Sequence, residues 1–157
     1  MMRPARGEVA LADAADTARL GAGVGRALGP GEAICLWGSL GAGKSTLARG
    51  LIRALTHPDE EVPSPTFTLV QFYESDALPL AHFDLYRLSR ADEAYEIGLD
   101  EALEDGAAII EWPERLEGRL PADRLDIELG VAEAAGAETR LARLTPHGSW
   151  EGRSIEF

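Results

Sequence analysis

The first half of the chain alternates short apolar runs with stripes of apolar residues at helical spacing. Residues 8–12 favour a short edge strand, and a helix is predicted from about Asp13 to the segment Gly29-Pro30-Gly31. Residues 33–37, Ala-Ile-Cys-Leu-Trp, form an uninterrupted apolar run, which is typical of a strand buried on both faces. A second amphipathic helix is predicted from about Lys44, because leucine recurs at every fourth residue, at Leu47, Leu51 and Leu55.

The pattern of the second half predicts mainly strands. The segment Val62-Pro63-Ser64-Pro65 is not helical, because proline pushes each preceding residue towards extended geometry. Strands are predicted at residues 66–73, 78–85, 107–110, 125–131 and 139–144, with acidic helical turns at about 91–104. The first two of these strands are expected to form a hairpin around residues 74–77, and the last two another around residues 132–137. There is no internal repeat and no linker, so the pattern predicts one α/β domain over residues 1–157 with a mixed sheet.

The segment between the first buried strand and the second helix, Gly38-Ser-Leu-Gly-Ala-Gly-Lys-Ser45, carries the strongest chemical signal. It has the spacing and the strand–loop–helix context of a phosphate-binding P-loop. Its glycines let backbone N–H groups converge on phosphate oxygens, while Lys44 neutralises phosphate charge and the Ser45 hydroxyl is a ligand for Mg²⁺. The residues expected to bind the nucleotide here are Gly38, Gly41, Ala42, Gly43, Lys44, Ser45 and Thr46. The competing interpretation is a glycine-rich turn without a ligand.

A P-loop site also needs a carboxylate at the end of a neighbouring buried strand, where it can hold Mg²⁺. Glu111 directly follows the apolar run 107–110 and meets this requirement. Asp84 is the second candidate, because aspartate is disfavoured within a strand unless it has another role. Both are expected to act in catalysis and, with Ser45, as metal ligands. The alternative for Glu111 is an exposed glutamate at a strand end.

Two further side chains are assigned from their positions next to these motifs. Thr66 follows Ser64-Pro65, where P-loop switches place a hydroxyl that reports the γ-phosphate, so it is included among the catalytic residues. Trp112 follows Glu111 and is included among the nucleotide-binding residues. A proline-rich turn and plain packing of the indole remain the respective alternatives, and the roles of His82 and Arg87 stay open.

The charge balance and composition limit the ligands and partners. A net charge of −12 argues against direct nucleic-acid binding, which needs basic residues to neutralise phosphates. Lys44 is the single lysine and asparagine is absent, so the chain lacks the Asn-Lys-x-Asp motif that reads guanine, and ATP is expected rather than GTP. The single cysteine, Cys35, fits a reducing compartment. With no apolar stretch of about 18 residues, we expect a cytoplasmic protein without a membrane span.

Taken together, these motifs resemble the bacterial TsaE family, formerly YjeE, which is the ATPase of tRNA threonylcarbamoyladenosine (t6A) biosynthesis. Four segments in the family's order and spacing carry the likeness, which runs from the first helix to the C-terminal hairpin. They are Gly-Ser-Leu-Gly-Ala-Gly-Lys-Ser-Thr-Leu-Ala-Arg-Gly at 38–50, Ser-Pro-Thr-Phe-Thr-Leu-Val at 64–70, His-Phe-Asp-Leu-Tyr-Arg-Leu at 82–88 and Ile-Glu-Trp-Pro at 110–113. Three residues depart from the family: Ser39 replaces Asp, Ser45 replaces Thr, and Pro63, which restricts the switch loop, replaces a polar or basic residue.

The resemblance implies a P-loop NTPase-like domain whose sheet is parallel in its core, antiparallel at its edges and flanked by helices. It implies Mg²⁺ near Ser45, Asp84 and Glu111, Thr66 in a mobile switch loop, and the base near residues 13–17 and 132–137. The implied partners are TsaD, which transfers the threonylcarbamoyl group to tRNA, and TsaB. This chain would bind the TsaD–TsaB pair, meet tRNA only through it, and use slow ATP turnover to reset it.

Two other functions stay open. An ATP-gated scaffold with negligible turnover would use the same site, and a small-molecule P-loop kinase would fit the length of the chain. Against the kinase, no compact arginine-rich lid precedes Glu111. No arginine is obviously placed to stabilise the transferring phosphoryl group, because Arg87 points across the strand alternation from Asp84. A partner is therefore expected to stimulate turnover.

Overall fold

The computed structural model describes residues 1–75, 77–131 and 139–157. In this part of the chain the strands are β1 (Met2–Pro4), β2 (Gly7–Leu11), β3 (Ala33–Trp37), β4 (Val70–Tyr73), β5 (Leu80–Asp84), β6 (Ala107–Glu111), β7 (Arg124–Val131), β8 (Arg140–His147) and β9 (Ser154–Glu156). The helices are α1 (Ala14–Ala27), α2 (Lys44–Leu55), α3 (Asp92–Glu96) and α4 (Leu99–Asp105), with 3₁₀ turns at Pro113–Leu116 and Gly148–Trp150. The predicted loop at 132–137, and residue 76 of the predicted turn at 74–77, lie outside the described residues.

Seven strands form one mixed sheet in the order β2-β8-β7-β3-β6-β5-β4. The central strands β7, β3, β6 and β5 are parallel, whereas β4 at one edge and β8 with β2 at the other are antiparallel. The uninterrupted apolar sequences of β3 and β6 suit this position, because strands covered on both faces have no polar alternation. The predicted fold class, a mixed sheet with a parallel core, antiparallel edges and flanking helices, is therefore confirmed.

The sheet separates two hydrophobic cores. On one face, Ile34 and Leu36 of β3 pack with the apolar stripes of α1 and α2, and on the other face Ala33 and Cys35 pack with residues from β5, α3 and α4. Helices α1 and α2 cross closely at Gly21, where an added Cβ would lie 2.1 Å from the Leu47 carbonyl oxygen. This contact fixes α2, and with it the loop that precedes α2, against the rest of the domain.

The predicted boundaries of the β4–β5 hairpin were wrong at three ends. The strand expected at 66–73 begins only at Val70, because the Leu69 N–H donates to the Pro65 carbonyl at 2.7 Å and closes a turn in which Leu69 has φ of 70°. The strand expected at 78–85 begins at Leu80, since Pro79 has no N–H to donate to the ladder. It ends at Asp84, which leaves the Asp84 carboxylate at the end of the strand.

Other elements were not anticipated from the pattern or differ from it. The acidic turns at 91–104 are two short helices, α3 and α4, separated by Gly98 with φ of 100°. A second sheet pairs Met2–Pro4 antiparallel with Ser154–Glu156. Among the described residues no helix combines the length and the apolar content needed to cross a membrane.

Candidate functional site

The candidate site lies at the carboxyl ends of three neighbouring parallel strands, β3, β6 and β5. Glu111 at the end of β6 is in register with Leu36 of β3 and with Asp84 at the end of β5. The P-loop leaves β3 directly after Trp37, so the two predicted carboxylates and the loop share one edge of the sheet. Ligands of open α/β sheets bind at this edge, because loops leave the strands there and helix N-termini face it.

The P-loop bends sharply before α2 begins at Lys44. Gly38 has φ of 140° and Gly43 has φ of 103°, values that residues with a side chain rarely adopt. A Cβ at Gly38 would also lie 2.6 Å from the Leu129 carbonyl oxygen of β7. The bend places the N-terminus of α2, with its first backbone N–H groups, at the site, and this is a favourable position for an anion.

Lys44 is buried against the P-loop and the indole of Trp112. Its Nζ donates to the Gly38 carbonyl at 2.6 Å and lies 3.6 Å from the centroid of the Trp112 ring. Burial has the largest effect and leaves the pKa of this ammonium group below its usual value, while the negative charges of Glu111, Glu114 and Asp84 act in the opposite direction. The nearby carboxylates therefore favour the charged form that could neutralise phosphate.

Thr66 is tied to Asp84 across the mouth of the site. The Thr66 hydroxyl donates to Asp84 Oδ2 at 3.0 Å and lies 2.6 Å from the Ser64 hydroxyl. The other carboxylate oxygen, Oδ1, accepts from the Tyr86 N–H at 3.0 Å. The structure thus joins the segment predicted as a switch loop to one of the two predicted carboxylates, although the two lie 18 positions apart in the chain.

Glu111 contacts His82, a buried residue whose role could not be assigned from the sequence. His82 Nε2 lies 2.6 Å from Glu111 Oε2, and both side chains are almost fully buried. The second ring nitrogen, Nδ1, is buried without a hydrogen-bond partner among the described residues. An Nε2–H that donates to Glu111 is the tautomer that suits this contact, because a carboxylate can only accept.

A cavity of about 370 Å³ connects these groups. Its lining residues are Leu40, Gly41, Gly43, Lys44, Ser45, Thr46, Ser64, Thr66, Asp84, Glu111, Trp112 and Arg140. Of the residues predicted for the site, all but Gly38 and Ala42 line this cavity, and these two lie in the same loop. The structure therefore brings the residues predicted from separate motifs around one space.

Arg140, at the start of β8, lines the same cavity and was not predicted. Its Nε donates to the Ala42 carbonyl and its Nη2 to the Gly41 carbonyl, both at 2.9 Å. No motif in the sequence marks this arginine, because the contact spans about a hundred residues. Arg87, the arginine considered from the sequence, is exposed and stacks on Phe67, with 4.4 Å between its Cζ and the ring centroid.

The donor set of the cavity suits a nucleotide phosphate chain with Mg²⁺. The α2 N-terminus and Lys44 offer positive charge and N–H groups, and Ser45, Asp84 and Glu111 offer oxygen ligands. In the described part of the chain no three His, Cys, Asp or Glu side chains converge closely enough to hold a metal by themselves. Mg²⁺ usually takes one or two carboxylates from a protein and completes its shell with phosphates and water.

The fold and the site together define an α/β protein with the P-loop NTPase fold. The structure matches the crystal structure of YdiB from Bacillus subtilis with a TM-score of 0.73, at 28% identity over 94% of this chain and 88% of that chain. The family model described as "Threonylcarbamoyl adenosine biosynthesis protein TsaE" matches residues 11–140.

Individual relatives agree with this match. The chain is 40% identical to the tRNA threonylcarbamoyladenosine biosynthesis protein TsaE of Treponema pallidum over 130 residues, which cover 82% of this chain and 95% of the relative. It is 39% identical to the TsaE protein of Bacillus subtilis over 121 residues, covering 76% and 73% of the two chains. The chain belongs to the TsaE family of t6A biosynthesis.

Proposed function

We propose that this chain is a Mg²⁺-dependent ATP-binding protein that hydrolyses ATP slowly and supports t6A modification by binding the TsaD–TsaB pair. The observation that supports it best is the convergence of the P-loop, Thr66, Asp84, Glu111 and Trp112 around one cavity in a TsaE-family chain. The alternative of a glycine-rich turn without a ligand does not explain why residues from four separate sequence segments meet at this cavity.

Each group in the cavity has a distinct role in this proposal. The N–H groups at the start of α2 and the Lys44 ammonium would hold the phosphates, and Ser45, Asp84 and Glu111 would hold Mg²⁺. The bound cation would neutralise charge that develops on the phosphate oxygens during hydrolysis. Thr66 would report the γ-phosphate to the segment around Ser64, because its hydroxyl already contacts Asp84.

The orientation of two arginine side chains, Arg87 and Arg140, would account for slow turnover by the isolated chain. Arg87 stacks on Phe67, and the Nε and Nη2 donors of Arg140 are directed at P-loop carbonyls. A stabilising arginine, where one acts on the transferring phosphoryl group, contributes about 10³–10⁵ in rate. The chain is also too acidic, with a net charge of −12, to bind tRNA directly. A partner that completes the site and contacts tRNA accounts for both properties.

Steady-state ATP hydrolysis tests this proposal. The chain is assayed alone and with rising concentrations of a purified TsaD–TsaB pair, with the Lys44→Ala variant as the blank for contaminating ATPase. We expect a low basal rate that rises and saturates with the partner. Equal rates with and without the partner would contradict the coupled ATPase, and no turnover in either condition, despite tight ATP binding, would favour the scaffold.

A further inference from the structure

We propose that Arg140 is a positioning residue of the P-loop, whose guanidinium group holds the Gly41 and Ala42 carbonyls and so presets the loop for phosphate. This inference rests on the proposed function, because it assigns a role within the same nucleotide site. It concerns the free protein, however, so the clamp itself can be measured without a nucleotide.

The contact is a two-point clamp with a fixed geometry. Arg140 Nε–H donates to the Ala42 carbonyl and Nη2–H to the Gly41 carbonyl, both at 2.9 Å. The guanidinium group is planar, so its two N–H groups are held in one plane at a fixed spacing and grip two consecutive carbonyls together. A lysine ammonium carries the same charge but cannot reproduce this fork.

Holding the carbonyls orients the opposite sides of the same peptide groups. In a trans peptide the C=O and N–H bonds point in opposite directions, so a carbonyl that faces Arg140 turns the following N–H away from it. For the peptide between Ala42 and Gly43, the Gly43 N–H therefore points away from the guanidinium group. The clamp thereby keeps this peptide from flipping. A flip would move the Gly43 N–H out of the position that it holds in the bend ahead of Lys44.

The loop needs such a restraint because its apex, at Leu40 and Gly41, is exposed in the described part of the structure. Among the described residues, no heavy atom lies within 4 Å of the position that a Cβ on Gly41 would occupy, and the Leu40 side chain is 71% exposed. Glycine-rich segments have many accessible conformations, and ordering each residue on binding costs conformational entropy. Restraining the loop beforehand lowers that cost and so increases affinity.

Arg140 is itself held firmly by the sheet. It is the first residue of β8, which lies between β7 and β2, and it is in register with Val131 on one side and Leu11 on the other. The preceding Thr139 hydroxyl donates to the Ala12 carbonyl at 3.1 Å. The guanidinium group therefore extends from an interior strand, and sites supported by sheet strands hold their geometry better than sites supported by loops.

Arg140→Lys tests the clamp, with Arg143→Lys as a matched control. Arg143 lies on the same strand, is exposed, and pairs with Glu8 and Glu128 at the surface, where lysine can replace it. Hydrogen exchange of the peptide that covers residues 38–43 is measured without nucleotide, and the dissociation constants of Mg·ADP and Mg·ATP are measured by calorimetry.

We expect Arg140→Lys to speed exchange in the 38–43 peptide but not in β3 or β6, and to weaken ADP and ATP equally, by about tenfold. Arg143→Lys should match the wild type in every measurement. Unchanged exchange at 38–43, or faster exchange throughout the protein, would overturn the clamp. A loss confined to ATP would also overturn it, because Arg140 would then act on the γ-phosphate. If the wild type binds neither nucleotide, the proposed function fails, while the exchange measurement still decides the clamp.

Discussion

His82 Nε2 and Glu111 Oε2 lie 2.6 Å apart, and both side chains are buried where β5 and β6 run side by side. The contact holds Oε2 of the Glu111 carboxylate in place, and Oε1 is the second oxygen of this carboxylate that can accept a hydrogen bond. From this arrangement we expect His82 to set the orientation of Glu111, and Glu111 to act at the cavity. We therefore expect different effects when His82 and Glu111 are replaced one at a time.

Replacing the carboxylate by an amide tests Glu111 as a metal ligand. Glu111→Gln keeps the shape of the side chain but removes its charge, so Mg²⁺ should bind more weakly and partner-stimulated turnover should fall by about tenfold or more, as expected for a charged contact worth about 1.5–3 kcal/mol. A Mg²⁺ titration of ATPase activity measures both effects. If Glu111→Gln follows the wild-type Mg²⁺ curve, Asp84 holds the metal without Glu111.

Replacing the imidazole tests whether His82 orients Glu111. His82→Phe preserves an aromatic ring but leaves the buried carboxylate without its partner, so we expect the Mg²⁺ concentration for half-maximal activity to rise by about 10–100-fold, the usual cost of losing such a supporting group. His82→Gln retains an N–H donor and should recover part of this loss. His57→Gln, at an exposed histidine, is the control. A His82→Phe variant with normal Mg²⁺ dependence would limit His82 to packing.

Thr66 should matter for coupling more than for affinity. Its hydroxyl bonds to Asp84, so Thr66→Ala removes a contact between the switch segment and the site without touching the P-loop. We expect ATP affinity to change by less than about threefold, while the stimulation by TsaD–TsaB is lost. Thr66→Ser keeps the hydroxyl and should retain stimulation. Equal stimulation of the alanine variant and the wild type would exclude a switch role for this hydroxyl.

The pair formed by buried Glu32 and half-buried Arg153 should stabilise the fold in a pH-dependent way. Arg153 contacts both Glu32 oxygens at 2.7 Å. Burial alone would raise the pKa of Glu32, but hydrogen bonds from Arg153, Ser149 and the Gly29 N–H outweigh it and lower the pKa. A lowered folded-state pKa stabilises the protein at pH values above the unfolded pKa of about 4.3, and this contribution is lost as the pH falls through the folded-state pKa.

Glu32→Gln should therefore lower the free energy of unfolding at neutral pH by about 1.5–3 kcal/mol, the range for hydrogen bonds to charged groups. Its stability should also depend less on pH than that of the wild type across the acidic range. Urea unfolding at a series of pH values provides the measurement, and Glu8→Gln, which alters an exposed pair with Arg143, is the control. Parallel stability–pH curves for Glu32→Gln and the wild type would show that the lowered pKa is not coupled to folding.

The sequence predicted those features that depend on neighbours in the chain. The strand at 33–37, the bend at 38–43 and the helix that follows are encoded by a continuous apolar run, by glycines and by apolar residues at helical spacing. Glu111 was predicted because a P-loop site needs a carboxylate at the end of a neighbouring buried strand, and Asp84 because aspartate is disfavoured within a strand. The α/β class with a mixed sheet followed from the pattern of apolar runs and helical stripes, and the parallel core with antiparallel edges was implied by the resemblance to the TsaE family.

The features that were missed depend on contacts between distant segments. Arg140 contacts Ala42 across 98 positions, and Arg153 contacts Glu32 across 121. The sequence around an arginine on a strand does not show whether its side chain clamps a loop or is solvated. The β1–β9 pair was missed for a related reason, because its strands have three residues each and are too short for a periodic pattern.

We propose that this P-loop binds ATP through Lys44, and a calorimetric titration of Mg·ATP into the wild type and into Lys44→Ala measures that binding. Lys44→Ala removes a charge from the cavity rather than a large apolar contact, so the melting temperature without nucleotide should stay close to that of the wild type. We expect one site in the wild type and an affinity lower by about tenfold or more in the variant. Equal ATP affinity in two folded proteins would contradict it.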